Sequence, residues 1–112
     1  MKRLLGILLV LENLQELYLW HTQITGAGLV HLAGLTHLTR LSLNGSPITD
    51  AGLIHLEGMT NLRLGVTHVT DAGLVHLREL ANLQTLKLNG TQVTDAGVAE
   101  LGNALPNCEI SY

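Results

Sequence analysis

The sequence predicts an α/β solenoid of short tandem units, and three observations carry that prediction. First, a Thr-x-Ala-Gly string followed by Leu or Val occurs four times, at Thr25–Leu29, Thr49–Leu53, Thr70–Leu74 and Thr94–Val98. Its last glycine advances by 24, 21 and 24 residues from Gly28 through Gly52 and Gly73 to Gly97, a period that marks stacked repeats. Second, each unit carries two hydrophobic periods, one of two residues and one of three to four, which assigns a strand and a helix to every repeat. Third, the 112 residues are 46% hydrophobic yet contain no Phe, one Trp and two Tyr, so leucine must fill the core. One domain over 1–112, of about four and a half repeats, accommodates all of this.

Residues 1–13 come first. Leu5, Leu8 and Leu11 hold the register of Leu29, Leu32 and Leu35, so this stretch reads as the helical half of a repeat that lacks its strand. The competing reading is a signal peptide, with Met1-Lys2-Arg3 ahead of an apolar run. No small-x-small cleavage site follows, and the register runs on into Leu14. The cytoplasm is therefore favoured, with export if residues 1–11 act as a leader.

Leu14-x-x-Leu17-x-Leu19 and Leu83-x-x-Leu86-x-Leu88 then end in strict alternation, which points Leu17 and Leu19 inward and Tyr18 and Trp20 outward. After Ile24, Ile48, Val69 and Val93, triplets such as Leu29/Leu32/Leu35 and Leu74/Leu77/Leu80 mark one stripe of a short helix or a 3₁₀ turn. Thr49, Thr70 and Thr94 are placed as N-caps, with Asp50, Asp71 and Asp95 at the positive end of the helix dipole, whereas the first repeat has Gly26. Glycines at 28, 52, 73 and 97 allow one coil to lie close on the next, and Asn44-Gly45 and Asn89-Gly90 signal turns after the strands. The third repeat is three residues short between Met59 and Thr67. We expect its turn to contract while Arg63 keeps the column of Tyr18, Ser42 and Lys87, because loops shorten more readily than a sheet loses a rung. Pro106 breaks the pattern, and the end of the chain, 102–112, offers Cys108–Tyr112 as a last edge strand.

The motif LxxLxLxxT followed by (I/V)TDAGLxHL, as in Leu38 to Leu56, resembles the leucine-rich repeat family, and within it the bacterial 24-residue class akin to the cysteine-containing repeats of F-box substrate receptors. The resemblance covers nearly the whole chain. It implies a right-handed solenoid with a parallel sheet on its concave face, short helices on the convex side, binding through the concave face, and no chemistry. Thr22, Ser46, Thr67 and Thr91 stand where many such repeats carry an asparagine ladder, and a hydroxyl satisfies fewer partners. No F-box-like segment accompanies the repeats, so no ubiquitin-ligase role is implied. Neither end shows the polar cap that solenoids normally need, which suits a fragment or a chain that self-associates through its ends. On that basis apolar surface is expected at Leu5, Leu8 and Leu9 and along Leu105 to Tyr112.

Composition and spacing exclude several function classes. A formal charge of -3 lacks the basic footprint of a general nucleic-acid binder, and no stretch of 18 apolar residues is present to cross a membrane. The lone Cys108 rules out an intrachain disulfide and reads as a small buried hydrophobe, with no third group to complete a Cys/His nucleophile. Six histidines raise the question of a metal, since His31, His55 and His76 share one repeat position. That position lies roughly 130° from the apolar stripe, which places them in water, and neighbouring helices about 8–10 Å apart do not bring three ligands to one ion. His21, His37 and His68 fall in loops with no shared column. A calcium ladder on the repeated aspartates is explained at once by helix capping. No cofactor is expected.

The outward strand columns carry the functional expectation. They are Glu16, Tyr18 and Trp20; Arg40, Ser42 and Asn44; Asn61, Arg63 and Gly65; and Thr85, Lys87 and Asn89. Three cations against one carboxylate give this face +2 and leave -5 elsewhere, a segregation that steers acidic partners. The plainer account is that a wet sheet face simply needs polar residues. Tyr18 and Trp20 are harder to explain that way, because exposed aromatics mark binding hot spots, although they could instead cap the open first coil. The expectation is a non-catalytic protein-binding module with Glu16, Tyr18, Trp20, Arg40, Ser42, Asn44, Arg63, Lys87 and Asn89 at its site and a protein partner, in particular an acidic segment. A self-associating or truncated solenoid without a specific ligand is the alternative, followed by a metal-binding histidine ladder.

Overall fold

The computed structural model describes residues 13–112. Five strands, β1 (Glu16–Tyr18), β2 (Arg40–Ser42), β3 (Asn61–Arg63), β4 (Thr85–Lys87) and β5 (Glu109–Ser111), form one parallel sheet in chain order. Between successive strands the chain makes one helical segment. These are the 3₁₀ helices η1 (Gly26–Gly34) and η2 (Asp50–His55), then the α-helices α1 (Asp71–Leu77) and α2 (Asp95–Ala104). The readings of the first twelve residues, as a half repeat or a leader, and the apolar surface expected at Leu5, Leu8 and Leu9 lie outside the described residues.

Leucine fills the interior. Of the 23 buried apolar residues that form the described core, 19 are leucines and none is aromatic. Each inward strand position stacks on its equivalent, so Leu17, Leu41, Leu62, Leu86 and Ile110 make one continuous row. In the short third repeat Arg63 pairs in register with Ser42 and Lys87 as expected, but the turn before β3 does not contract. Five residues separate helix from strand in both coils, and the deficit falls in the helical segment, where η2 has six residues against nine in η1. Met59 takes the place of Leu38 and is buried, and Gly58 reverses the chain at φ +84° with open space where a Cβ would be. Of the apolar surface expected at the far end, Leu105 is buried and Ile110 half-buried, while Tyr112 stays 53% exposed.

Leaving the sheet requires a left-handed residue in every coil. His21, Gly45, Val66 and Gly90 occupy the same position with φ of 51°, 76°, 53° and 77°. Glycine adopts this conformation freely, whereas a β-branched valine is strained there. Just beyond, the hydroxyls of Thr67 and Thr91 donate to the carbonyls of Leu64 and Leu88, both at 2.7 Å, and Ser46 donates to Leu19 at 3.1 Å. Single hydroxyls thus replace a side-chain amide by bonding the carbonyl that ends each inward strand segment.

The coils are joined on the other side by a carboxylate relay. Asp50 Oδ1 accepts from the backbone N–H of Thr70 at 2.8 Å and its Oδ2 from the Thr70 hydroxyl at 2.6 Å. Asp71 holds Thr94 in the same bidentate way. Asp95 instead accepts from the Tyr112 hydroxyl at 2.6 Å, which holds the phenolic proton and raises its pKa. The reading of these aspartates as helix-dipole residues is therefore incomplete: they begin a helix and also bind the next coil. The cap assignments divide, since Thr70 and Thr94 accept from Ala72 and Gly97 N–H while Thr49 makes no side-chain cap bond. The two capped segments are the α-helical ones.

Glycine makes the relay possible. A Cβ at Gly73 would lie 2.3 Å from Asp50 Oδ1, and one at Gly97 2.2 Å from Asp71 Oδ1. Gly52 meets backbone instead, with Gly26 Cα 2.4 Å from its would-be Cβ.

Two outcomes follow. Replacing Val66 by Gly should raise stability by about 1 kcal/mol in urea denaturation, because relief of left-handed strain outweighs the added chain entropy. Asp71 is held below the usual carboxylate range by the Thr94 hydroxyl and then the Thr94 N–H. A depressed pKa gives stability that is present above the unfolded value of about 4 and disappears as pH falls through the folded one. Asp71→Asn should therefore unfold at lower urea than the parent at pH 7, and the two curves should converge under acid.

Candidate functional site

Side chains on the outer face of the sheet alternate with the buried leucine row, so the backbone register alone decides which of them are neighbours. One column reads Glu16, Arg40, Asn61, Thr85, Glu109 and the next Tyr18, Ser42, Arg63, Lys87, Ser111. One of these positions revises the charge count. β5 brings Glu109 onto the face, so three cations meet two carboxylates and the net charge is +1 rather than +2, with -4 on the rest of the chain. Sequence alternation could have placed Glu109 here had Glu109–Ser111 been counted with the strands.

Charges on the face are unevenly matched. Arg40 Nη1 lies 3.3 Å from Glu16 Oε1, the only ion pair among the described residues, and Tyr18 donates to the same oxygen at 3.3 Å. Arg63 and Lys87 are both exposed and face each other across neighbouring strands. Like charges placed directly opposite destabilise a sheet by a few tenths to about 1 kcal/mol, so this pair favours any anion that lies between them. Tyr18, Arg40, Asn61, Arg63, Thr85 and Lys87 border a shallow depression of about 70 Å³ floored by Leu41 and Leu62.

Trp20 and Tyr18 are each about half exposed and meet edge to face, with ring centroids 5.8 Å apart at 64°. The Trp20 indole N–H donates to Ser42 Oγ, and Ser42 is fully buried. Ser42 is accordingly not a contact residue as the strand alternation suggested. It lies under the indole and positions it, which satisfies the indole N–H while leaving ring surface in water. Asn44 is also committed, being half-buried with Oδ1 accepting from Gly65 N–H at 2.8 Å. Asn89 stays exposed and accepts from the Ser111 hydroxyl at 3.4 Å. The sheet thus brings Glu16, Tyr18, Trp20, Arg40, Arg63 and Lys87 to one accessible face and withdraws Ser42 and Asn44 into its support.

The histidine column departs from expectation. His31, His55 and His76 are half-buried rather than fully in water, and among the described residues no group of three His, Cys, Asp or Glu side chains converges on a point. Cys108 is half-buried as a free thiol, its pKa raised by burial and then by the Glu109 charge.

Two family models match the chain, one described as leucine-rich repeats in two copies over residues 12–55 and one as a leucine-rich repeat over residues 79–102. No curated protein sequence matches it. Among solved structures it is similar to internalin C2 of Listeria monocytogenes, at 35% identity and a TM-score of 0.68 over 93% of this chain and 45% of that one. It is similar to a leucine-rich repeat protein of Leptospira interrogans at 26% identity and a TM-score of 0.66, over 88% of this chain and 25% of the other. Listeria internalin F shares the fold at 20% identity and a TM-score of 0.57, over 98% of this chain and 36% of that one. The chain therefore spans less than half the length of each of these structures.

Because Trp20 is the only tryptophan, its fluorescence reads the site directly. Ser42→Ala should leave the indole N–H without its partner, shift emission to longer wavelength, lower anisotropy and cost about 1 kcal/mol of stability. Unchanged emission would mean that Ser42 does not position the ring.

Proposed function

Since the chain belongs to the leucine-rich repeat family, whose members are generally protein-interaction modules, we propose that it binds a protein partner through the outer face of its five-stranded sheet, without catalysis of its own. The observation that carries this reading is the Tyr18/Trp20 pair, held by Ser42 beside two cations, Arg63 and Lys87, that have no carboxylate within 4.0 Å among the described residues. An acidic segment running across the strands suits this arrangement. Its carboxylates meet Arg63 and Lys87 while an apolar side chain packs on the indole. Arg40 contributes less, because Glu16 already neutralises it.

Five strands about 4.8 Å apart span about 19 Å, which gives a contact of a few hundred Å² against the roughly 800 Å² per partner of a standard interface. Binding by this chain alone is accordingly weak, and a rigid anchor matters more than area. A ring already fixed in place loses little freedom on binding, so its contact is retained almost in full.

The test is affinity capture with the Tyr18→Ala/Trp20→Ala protein as the control bait, followed by kinetics on the partner recovered. Trp20→Ala should cost about 2 kcal/mol or more through faster dissociation. Arg63→Ala with Lys87→Ala should mainly slow association and flatten its salt dependence. His55→Ala, on the helical side, should do neither. A partner that ignores Trp20 and both cations but is lost on His55→Ala would move the working surface off the sheet.

A further inference from the structure

A surface helix turns one stripe inward and needs polar residues on the other, and the helical side of this chain breaks that rule in three successive coils. Val30, Ile54 and Val75 occupy the same position, immediately after Leu29, Leu53 and Leu74, and are 47%, 53% and 55% exposed. In the fourth coil the position is Ala99. Between η2 and α1, Ile54, Val75 and Leu80 line a groove of about 290 Å³ that Glu57, His76 and Glu79 also border. The groove thus combines apolar side chains with two carboxylates.

Charge selects the occupant. Apart from the sheet face, the described residues carry Asp50, Glu57, Asp71, Glu79, Asp95 and Glu100 against Arg78 alone, a net charge of -5. Asp50 and Asp71 are engaged by threonines and Asp95 by Tyr112. Glu57 and Glu79 have no cation within 4.0 Å among the described residues. The geometry points to a second docking site here, which takes a basic segment of a protein, one apolar side chain on Ile54 and Val75 with lysines or arginines on either side reaching Glu57 and Glu79. A second copy docking by the same face would bring like charge onto like charge, and anionic lipid would be repelled for the same reason. This site is separate from the sheet and does not depend on what the sheet binds.

The experiment uses the full chain with isotopically labelled methyl groups and two capped pentapeptides, KGLGK and the acidic control EGLGE. KGLGK should move the Ile54 and Val75 methyl signals saturably at millimolar concentration and leave the Trp20 indole signal in place. Raising salt from about 50 to about 500 mM should weaken it several-fold, as screening requires. Glu57→Gln with Glu79→Gln changes only exposed side chains, so the variant should keep the parent spectrum and bind KGLGK at least fivefold more weakly. Val75→Lys should abolish the shifts. The proposal is overturned if EGLGE moves the same methyls equally, if the double glutamine variant binds like the parent, or if KGLGK perturbs the sheet face instead. It is equally overturned if the methyls shift on dilution without peptide and Val75→Lys stops this, because the face would then join two copies.

Discussion

In a stacked-coil protein each turn of chain touches only the turns before and after it, and the distance at which two turns can meet governs everything else. Here that distance is set at the Thr-Asp-Ala-Gly step. An aspartate from one coil takes both the backbone N–H and the hydroxyl of a threonine in the next, and it passes through space that only glycine leaves open at Gly73 and Gly97. Anything larger at those glycines would push the coils apart and break the register from which the leucine rows and the outer face of the sheet both follow.

That division of labour explains how a chain with so little chemical variety presents a specific surface. The interior is almost uniform, so the outward strand positions are relieved of packing duty and can differ from coil to coil. A tyrosine, a serine, an arginine and a lysine occupy one column with the same backbone beneath them. The three-residue contraction leaves this face untouched because it is taken up on the helical side, where η2 is three residues shorter than η1.

Repeats, strands and the Leu core were legible in the sequence because periodicity is a local property of the chain. The strand register of the short third coil was legible too, since Leu62-Arg63-Leu64 preserves the alternation, although the lost residues come from the helical segment and not from the turn. What escaped were relations between coils. Alternation says that Ser42 points outward, but not that the indole of Trp20, from the preceding coil, closes over it. A Thr-Asp pair reads as a cap because capping needs only neighbours in sequence, whereas the acceptor role of Asp50 toward Thr70 spans 20 residues. The same limitation hid the exposed row of Val30, Ile54 and Val75, which looks like ordinary leucine-repeat packing until the helices are placed side by side.

Among the described residues the first contact between helical segments differs from the later ones: Gly26 lies against Gly52, with no carboxylate between them, and Thr49 has no acceptor from the preceding turn. The units are therefore directional rather than interchangeable modules. Copying the Asp50 turn in tandem would reproduce a matched donor and acceptor at each new junction. Moving the Gly26 turn into the interior would leave a threonine N–H and hydroxyl facing a glycine. Any lengthened or recombined array built from this chain meets the same distinction, since a Gly26-type turn joins its successor by glycine on glycine and an Asp50-type turn by a carboxylate.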